Sequence, residues 1–307
     1  MISFRYHLVS IIGIFLAIAL GVVIGTSALN GAVVGDLRRQ VSDLKQSNAS
    51  AVQANQTLQS QAGDADDLAK AFGTKIANSS LAKTNVVIVG APGASSEFKD
   101  GLAAEVAAAG GKVTARIQLS ANFTDPKRAT DIRALATSGA HPVGLQLPTT
   151  DDAGTLAGSL LGFVLLGKGQ ATDLTQVLAG LGTLGMAKSE GANPAAGKVI
   201  LLVAPGAKAA SDPDNAAGKI LLSMATQFAV TGPTVVVGDN ASATQGGLVS
   251  LVRADSTAKQ GVSTVDDGNT ALGQLTTVLV AAEALAGRPG QFGTGAGVDA
   301  LIPGGSS

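Results

Sequence analysis

The 307-residue sequence contains no cysteine and no tryptophan, and it has one tyrosine, two histidines and three methionines. Without cysteine the chain has neither disulfides nor thiolate ligands for a soft metal, although this absence does not locate the protein in a compartment. Aromatic residues make up 3% of the chain, too few for the two aromatic girdles typical of a membrane-spanning β-barrel. The net charge is −1, so bulk charge does not indicate a nucleic-acid partner.

Residues 8–29, LVSIIGIFLAIALGVVIGTSAL, form the one long stretch without charge, proline or side-chain amide. At ~1.5 Å rise per residue a helix of this length spans roughly 33 Å, enough for a bilayer core. We therefore predict a transmembrane anchor, preceded by a short tail of residues 1–7. A cleaved signal peptide is the alternative, because small residues at 26–28 have a cleavage-like spacing. The length of the apolar run and the helical pattern that continues beyond it favour an uncleaved anchor.

The orientation of this anchor is only weakly indicated by its flanking charges. Arg5 precedes the run, whereas Arg38 and Arg39 follow it, and this count alone would place the C-terminal side in the cytoplasm. Small residues recur every four positions inside the run, a spacing that lets a second helix approach closely. Glycine is common in membrane helices in any case, so the row is a candidate packing face rather than a demonstrated one: Gly13, Ala17, Gly21 and Gly25.

The pattern of residues 30–72 predicts a coiled-coil stalk. A heptad pattern starts at residue 34, and its predicted interface positions are Val34, Leu37, Val41, Leu44, Asn48, Asn55 and Leu58. A seam that repeats every 3.5 residues is typical of a left-handed coiled coil, and asparagine at two a positions fixes register and favours a parallel pair. We therefore predict a parallel homodimer. The alternative is a single amphipathic helix that packs on its own globular domain.

The sequence pattern of residues 73–302 predicts an α/β domain. We expect residues 303–307 to form a flexible tail. Five β-branched runs predict strands at 85–91, 113–119, 198–204, 234–237 and 262–265. Helical spacing predicts helices at 97–109, 125–136, 152–166, 173–184, 216–228, 244–252 and 270–286. This alternation favours a Rossmann-like, doubly wound parallel sheet of about five strands.

The candidate functional residues of this domain are Arg253, Asp255, Asp266 and Asp267. Asp266 and Asp267 directly follow a predicted strand, which places them at the sheet edge where α/β folds bind ligands. Paired carboxylates can act in acid–base chemistry or hold a metal, but such residues are more often helix caps and counter-ions. The turns carry neither GxGxxG nor a Walker A sequence. We predict a non-enzymatic domain without cofactor or metal, and a ligand site or enzyme at the Asp266/Asp267 edge is the alternative.

Two regions of the sequence resemble the MctB family of actinobacteria. Near the start these are MISFRYHLVS, Phe15-Leu16-Ala17, Ala19-Leu20-Gly21 and Gly25. Near the end they are Arg253-Ala254-Asp255, the GVSTVDD run at 261–267, and Phe292-Gly293-Thr294-Gly295. The resemblance covers essentially the whole chain, although relatives commonly carry tyrosine at the position of Phe292. It implies copper transport or homeostasis. The family is also called SteB, and that name implies a membrane-anchored partner of SteA that regulates cell separation and peptidoglycan hydrolysis.

The same resemblance implies a cytoplasmic N-terminus and a domain in the extracytoplasmic envelope. The family name places the protein in the outer membrane, which the residues do not support. Copper(I) selects thiolates and thioethers, and copper(II) prefers imidazole. Met186 and Met224 lie in apolar helical patterns and are predicted core residues, while His7 and His141 are far apart in sequence. We therefore expect no intrinsic copper site, and we predict a dimeric scaffold that acts through partners.

Overall fold

The computed structural model describes residues 4–137, 142–206 and 215–304. The chain divides into two compact units, Met1–Asp64 and Ala65–Ser307, which we call the N-terminal unit and the α/β unit. The first helix, α1 (Phe4–Ile76), contributes residues to both units. Each unit is described separately below.

The N-terminal unit is helical throughout its described residues. Within it, Tyr6–Gly25 has a mean hydropathy of 2.8, and none of this segment is buried by the protein. This segment is long and apolar enough to cross a membrane. An N-terminal signal sequence can have the same length and composition. The helix continues without a break through the predicted anchor and the predicted stalk, because neither contains a proline.

The α/β unit is built on one sheet, whose described strands are β1 (Asn85–Gly90), β2 (Lys112–Leu119), β3 (Ala187–Ser189), β4 (Val199–Val203), β5 (Thr234–Val237), β6 (Val262–Val265) and β7 (Gln291–Phe292). Their order is β3-β2-β1-β4-β5-β6-β7, and every neighbouring pair is parallel except β2 and β3. The five predicted strands are confirmed. The expectation of about five strands omitted β3 and β7, which are only three and two residues long and lack a β-branched run.

The helices of this unit that follow α1 are α2 (Ser96–Ala108), α3 (Ala129–Thr137), α4 (Ala153–Leu165), α5 (Ala171–Thr183), α6 (Ala216–Thr231), α7 (Leu248–Ala254), α8 (Ala258–Gly261) and α9 (Ala271–Leu285). Several begin at the side chains that sequence rules predict. Ser95 caps α2, Asp152 caps α4 and Thr270 caps α9, each by accepting a backbone N–H of the first turn.

Two predicted helices begin later than expected. Residues 125–136 divide into a 3₁₀ turn, Pro126–Arg128, and α3, because Asp125 caps the turn by accepting the backbone N–H of Lys127 at 3.0 Å. The helix predicted at 244–252 starts only at Leu248. A turn precedes it in which Gly246 has a φ of +87°, a conformation that excludes an earlier helical start.

Helices cover both faces of the sheet. One core cluster joins one face to α3, α4, α5, α6 and α7, while the second cluster joins the opposite face to α2, α9 and the end of α1. The central strands β1 and β4 are accordingly buried along almost their whole length. The chain leaves β1 for β2 on one side and later returns to β4 on the other side. The loops after β1 and β4 therefore diverge and leave a crevice at the carboxyl edge of the sheet.

The last turns of α1 pack within the α/β unit through small residues. Ala69 and Ala77, the residue directly after α1, are buried, and a Cβ at Gly73 would lie 3.7 Å from the side chain of Leu275 on α9. The Asp66 carboxylate accepts the backbone N–H of Leu272 at 3.2 Å, across a separation of 206 residues. A residue near the end of α1 thus accepts a hydrogen bond from the first turn of α9.

Candidate functional site

Arg253 and Asp266 form a buried ion pair at the carboxyl end of β6. Their side chains are 4% and 0% exposed, and Nη1 of Arg253 lies 2.6 Å from Oδ2 of Asp266. Asp266 is the first residue after β6, and Arg253 lies in the last turn of α7. The guanidinium also donates to Thr264 Oγ1 at 2.9 Å and to the carbonyl oxygen of Phe292 at 2.8 Å. The pair therefore connects α7, β6 and the segment that follows β7.

The other bonds of Asp266 go to the backbone of that segment. Oδ1 accepts the N–H of Thr294 at 2.7 Å, and Oδ2 accepts the N–H of Gly295 at 2.8 Å. Gly293 has a φ of +124°, and a Cβ there would lie 2.2 Å from Oδ1, so no larger residue fits beside the carboxylate. Both oxygens of Asp266 are thus occupied by the protein itself. The arrangement holds a loop in place and leaves this carboxylate little capacity for a ligand.

Asp267 has a different environment from its neighbour. It is buried, and its Oδ1 has no hydrogen-bond partner among the described residues. Burial raises the pKa of Asp267 to about 6, and the negative charges of Asp266 and Asp66 act in the same direction. This carboxyl group therefore exchanges its proton near neutral pH.

Asp255 serves the start of α8. Its Oδ1 accepts the backbone N–H groups of Thr257 at 3.0 Å and Ala258 at 2.8 Å, which is a local capping arrangement. The structure therefore joins Arg253 to Asp266 directly and gives Asp255 and Asp267 separate environments. Arg253 is thus the counter-ion of Asp266 and Asp255 is a helix cap, whereas Oδ1 of Asp267 has no hydrogen-bond partner among the described residues.

A second buried charge was missed by the sequence patterns. Lys99 on α2 is 1% exposed; its Nζ donates to Gln118 Oε1 at 2.6 Å and forms an ion pair with Glu190. The amide of Gln118 donates in turn to the carbonyl oxygen of Ala91 at 2.9 Å. The partners of Lys99 are 19 and 91 residues away along the chain. The one sequence signal is local, since Lys99 lies beside Phe98 on the apolar side of α2.

The predicted helix-packing residues of the N-terminal unit are exposed within it, apart from Gly25, which is partly exposed. The predicted heptad positions Val34, Leu37, Val41, Leu44, Asn48, Asn55 and Leu58 are solvent-exposed along α1. In the apolar segment Ala17 is exposed, and no atom lies within 4 Å of a Cβ built at Gly13, Gly21 or Gly25. Both rows are therefore accessible to a partner helix.

The candidate copper donors are dispersed. Met186 and Met224 are fully buried in the core of the α/β unit, as predicted, and His7 is exposed on α1. His141 lies outside the described residues. Among the described residues, no group of three or more His, Cys, Asp or Glu side chains is arranged to hold a metal ion.

These features define a class of protein in which one N-terminal apolar helix of membrane-spanning length precedes an α/β unit with a mostly parallel sheet. The sequence profile of a family described as "Copper transport outer membrane protein, MctB" matches residues 1–303, and the chain belongs to this MctB family. Relatives named "Copper transporter MctB" from Mycobacterium tuberculosis and Mycobacterium bovis are each 30% identical to it, over 97% of this chain and 98% of theirs. A relative of the same name from Mycobacterium leprae is 28% identical over 98% of this chain and 99% of its own.

Proposed function

We propose that this MctB-family protein is a single-pass membrane protein that works in the cell envelope as a non-catalytic, parallel dimeric scaffold. The observation that carries the proposal is the pattern of exposure along α1. No part of the apolar segment Tyr6–Gly25 is buried by the protein, and the apolar heptad positions that follow it are exposed. A lipid bilayer would cover the first segment, and a second copy of the helix would cover the heptad positions.

The parallel arrangement follows from the anchor. Two chains inserted in the same membrane with the same topology bring their stalk helices together in parallel and in register. Asn48 and Asn55 then face their counterparts, where they can hydrogen-bond across the seam. The N-terminus would lie in the cytoplasm and the α/β unit outside it, as the family resemblance implies. We regard the sheet as a Rossmann-like, doubly wound arrangement with an added antiparallel edge strand.

For copper, we propose that the protein acts through partners rather than as the ligand of the ion. The relatives are named copper transporters, yet this chain has no cysteine, and both of its internal methionines are enclosed in the core. A single membrane helix also cannot surround a channel without oligomerising. A SteA-like partner, with a role in cell separation and peptidoglycan hydrolysis, is the alternative that the family resemblance suggests.

The second candidate function is an enzyme or ligand-binding domain at the Asp266/Asp267 edge. It is favoured by the raised pKa of Asp267, which suits proton transfer near neutral pH. It is opposed by Asp266, whose two oxygens are taken up by Arg253 and by the backbone of Thr294 and Gly295.

Cysteine crosslinking of the full chain in membranes tests the dimer. Leu44→Cys and Leu58→Cys place thiols at two d positions, so oxidation should trap a disulfide-linked dimer at either site. Gln46→Cys and Ser60→Cys are matched controls, because these f positions would point away from the seam. Equal crosslinking at d and f positions, or none at d positions, would contradict the parallel coiled coil.

A copper titration tests the indirect role. The detergent-solubilised full chain should take up no stoichiometric copper(I) in competition with a chromophoric chelator. Met186→Leu and Met224→Leu should leave that result unchanged. Tight one-to-one binding that either substitution abolishes would show that the chain itself holds copper.

A further inference from the structure

We propose that the crevice at the divergence of β1 and β4 is a binding site for a neutral saccharide. The inference concerns the α/β unit alone and does not depend on whether the protein is dimeric. It rests on the position of the crevice, on the hydrogen-bonding groups that line it, and on the sign of its charge.

The crevice is a cavity of ≈ 490 Å³ lined by Gly93, Ser95, Glu97, Phe98, Ala204, Gly206, Asp239, Asn269 and Gln274. These residues follow the carboxyl ends of four parallel strands, β1, β4, β5 and β6, or begin the helices α2 and α9. Ligands of open α/β sheets bind where neighbouring loops diverge in this way, and the volume falls within the ~300–1,000 Å³ of small-molecule sites.

Most polar groups of the crevice have no hydrogen-bond partner in the part of the chain that the structure describes. Among the described residues, the carboxylate of Glu97 and the side-chain amides of Asn269 and Gln274 have no hydrogen-bond partner. Asp239 uses Oδ1 to accept the N–H of Ser242 at 2.9 Å, and Oδ2 remains for a ligand. Ser95 accepts only a long bond, 3.5 Å, from the N–H of Phe98. Convergent polar groups without internal partners are what a ligand site requires.

The lining carries negative charge. Among the described residues that line it, Glu97 and Asp239 are the ionisable side chains, and none is a lysine, arginine or histidine. Glu97 also lies in the first turn of α2, where its charge offsets the positive end of that helix. Phosphates, nucleotides and carboxylates would be repelled from such a crevice, so the ligand is uncharged or cationic.

The hydrogen-bonding capacity selects between these two classes. Carboxylates only accept, whereas the amides of Asn269 and Gln274 and the hydroxyl of Ser95 both donate and accept. A ligand that matches all of them carries several hydroxyl groups, each able to donate and to accept. A cationic amine would leave the amide donors unmatched. Phe98 and Ala204 add apolar surface suited to the C–H face of a sugar ring.

Ligand-observed saturation-transfer NMR on the detergent-solubilised full chain tests the proposal. The probes are the disaccharides maltose, lactose and N,N′-diacetylchitobiose, with glucose 6-phosphate and spermidine as anionic and cationic comparators. At least one disaccharide should bind, and neither comparator should compete with it. Binding of none of the disaccharides, or a stronger response from spermidine or glucose 6-phosphate, would overturn the proposal.

Substitutions then locate the binding. Asn269→Ala and Gln274→Ala should each raise the dissociation constant of the bound disaccharide about tenfold, because each variant loses one good hydrogen bond. Gln260→Ala removes an amide from the exposed surface of α8 and should leave binding unchanged. Equal loss in all three variants, or none in Asn269→Ala and Gln274→Ala, would place the ligand elsewhere and refute the site.

Gly101→Ala separates binding from folding. A Cβ at Gly101 would lie 2.5 Å from Nε2 of Gln274, the mobile end of that side chain, so the amide must move while the backbone stays. Alanine also favours the helix over glycine. This variant should therefore be at least as stable as the parent chain and yet bind the disaccharide about tenfold more weakly. Unchanged binding would show that the position of Gln274 does not matter, against the proposal.

Discussion

Two groups of polar side chains lie at the same edge of the sheet and differ in what surrounds them. Around Asp266, a buried arginine and backbone N–H groups occupy the carboxylate. In the crevice between the loops after β1 and β4, Glu97, Asn269 and Gln274 have no hydrogen-bond partner among the described residues. The first group is buried, whereas Glu97 and Asn269 are exposed.

This difference separates two ways in which polar residues come to stand at a sheet edge. A buried charge persists only if the fold surrounds it with compensating partners, so removing one partner costs stability. An exposed amide needs no internal partner, since water serves it until a ligand arrives. Substitutions around Asp266 should therefore lower stability, whereas substitutions in the crevice should weaken binding and leave stability nearly unchanged.

The largest effect is expected from Arg253→Met. It leaves Asp266 buried without its counter-ion, which should lower the free energy of unfolding by about 3–5 kcal/mol. The urea midpoint of the detergent-solubilised full chain, followed by pulse proteolysis, measures this loss. Arg288→Met removes an arginine whose ion pair with Glu283 lies at the surface, and it should hardly move the midpoint. Similar midpoints for the two variants would show that the buried pair is not a structural lock.

Asp267 is intermediate between the two groups, because it is buried but its Oδ1 has no hydrogen-bond partner among the described residues. Its pKa rises from 3.8 to about 6 on folding, so the folded state binds the proton more tightly than the unfolded state. The resulting stability is fully present below pH ~4 and is lost as the pH rises through about 6. Two pKa units correspond to at most about 3 kcal/mol.

Asp267→Asn removes this titration. The variant should exceed the parent chain in stability at pH 7.5 and lose that advantage at pH 4, as measured by urea unfolding and circular dichroism. A parent chain whose stability does not fall between pH 4 and pH 7.5 relative to Asp267→Asn would contradict the raised pKa.

Lys99 is the intermediate case, since it is buried but its partner Glu190 is partly exposed. Lys99→Met should lower the free energy of unfolding by about 1–3 kcal/mol, because Gln118 Oε1 loses its donor while Glu190 keeps Arg116 nearby. Lys198→Met, on an exposed lysine, is the matched control. A loss of unfolding free energy as large as that of Arg253→Met would show that the loss does not depend on how deeply the ion pair is buried.

The smallest effect on stability is expected in the crevice. Asn269→Ala should change the free energy of unfolding by less than about 0.5 kcal/mol, because the amide makes no hydrogen bond to any residue that the structure describes. The same urea series measures it. A loss above 1 kcal/mol would mean that the amide supports the fold, and the contrast with Asp266 would then fail.

The core of the sheet was predictable from local sequence because its central strands are continuous β-branched or aliphatic runs, such as VILLV in β4. The edge strands β3 and β7 were not, since AKS and QF acquire extended structure only by pairing with β2 and β6. The starts of α2, α4 and α9 followed the capping residues Ser95, Asp152 and Thr270, whereas Asp125 caps only a 3₁₀ turn ahead of α3. The predicted helix start was also wrong near Gly246, where the backbone angle of one glycine decided the boundary.

The candidate site was only partly predictable for a related reason. Asp266 is visible in the sequence because it follows a strand, but its main partners are backbone N–H groups 28 and 29 residues further on, which have no residue signature. Glu97, Asn269 and Gln274 lie on loops and first helical turns without any periodic pattern. Only the order of the parallel strands β1-β4-β5-β6 brings the loop after β1 and the loop after β6 to the same edge of the sheet.

The bond between Asp66 and the N-terminus of α9 has a consequence for the order in which the chain assembles. The backbone N–H of Leu272, in the first turn of α9, donates to Asp66, which is synthesised 206 positions earlier. This end of α9 therefore depends on a contact that is distant along the chain. A truncated protein that starts at residue 73 would omit the acceptor, along with Ala69 from the core. An independently folding fragment should therefore start no later than Ala65.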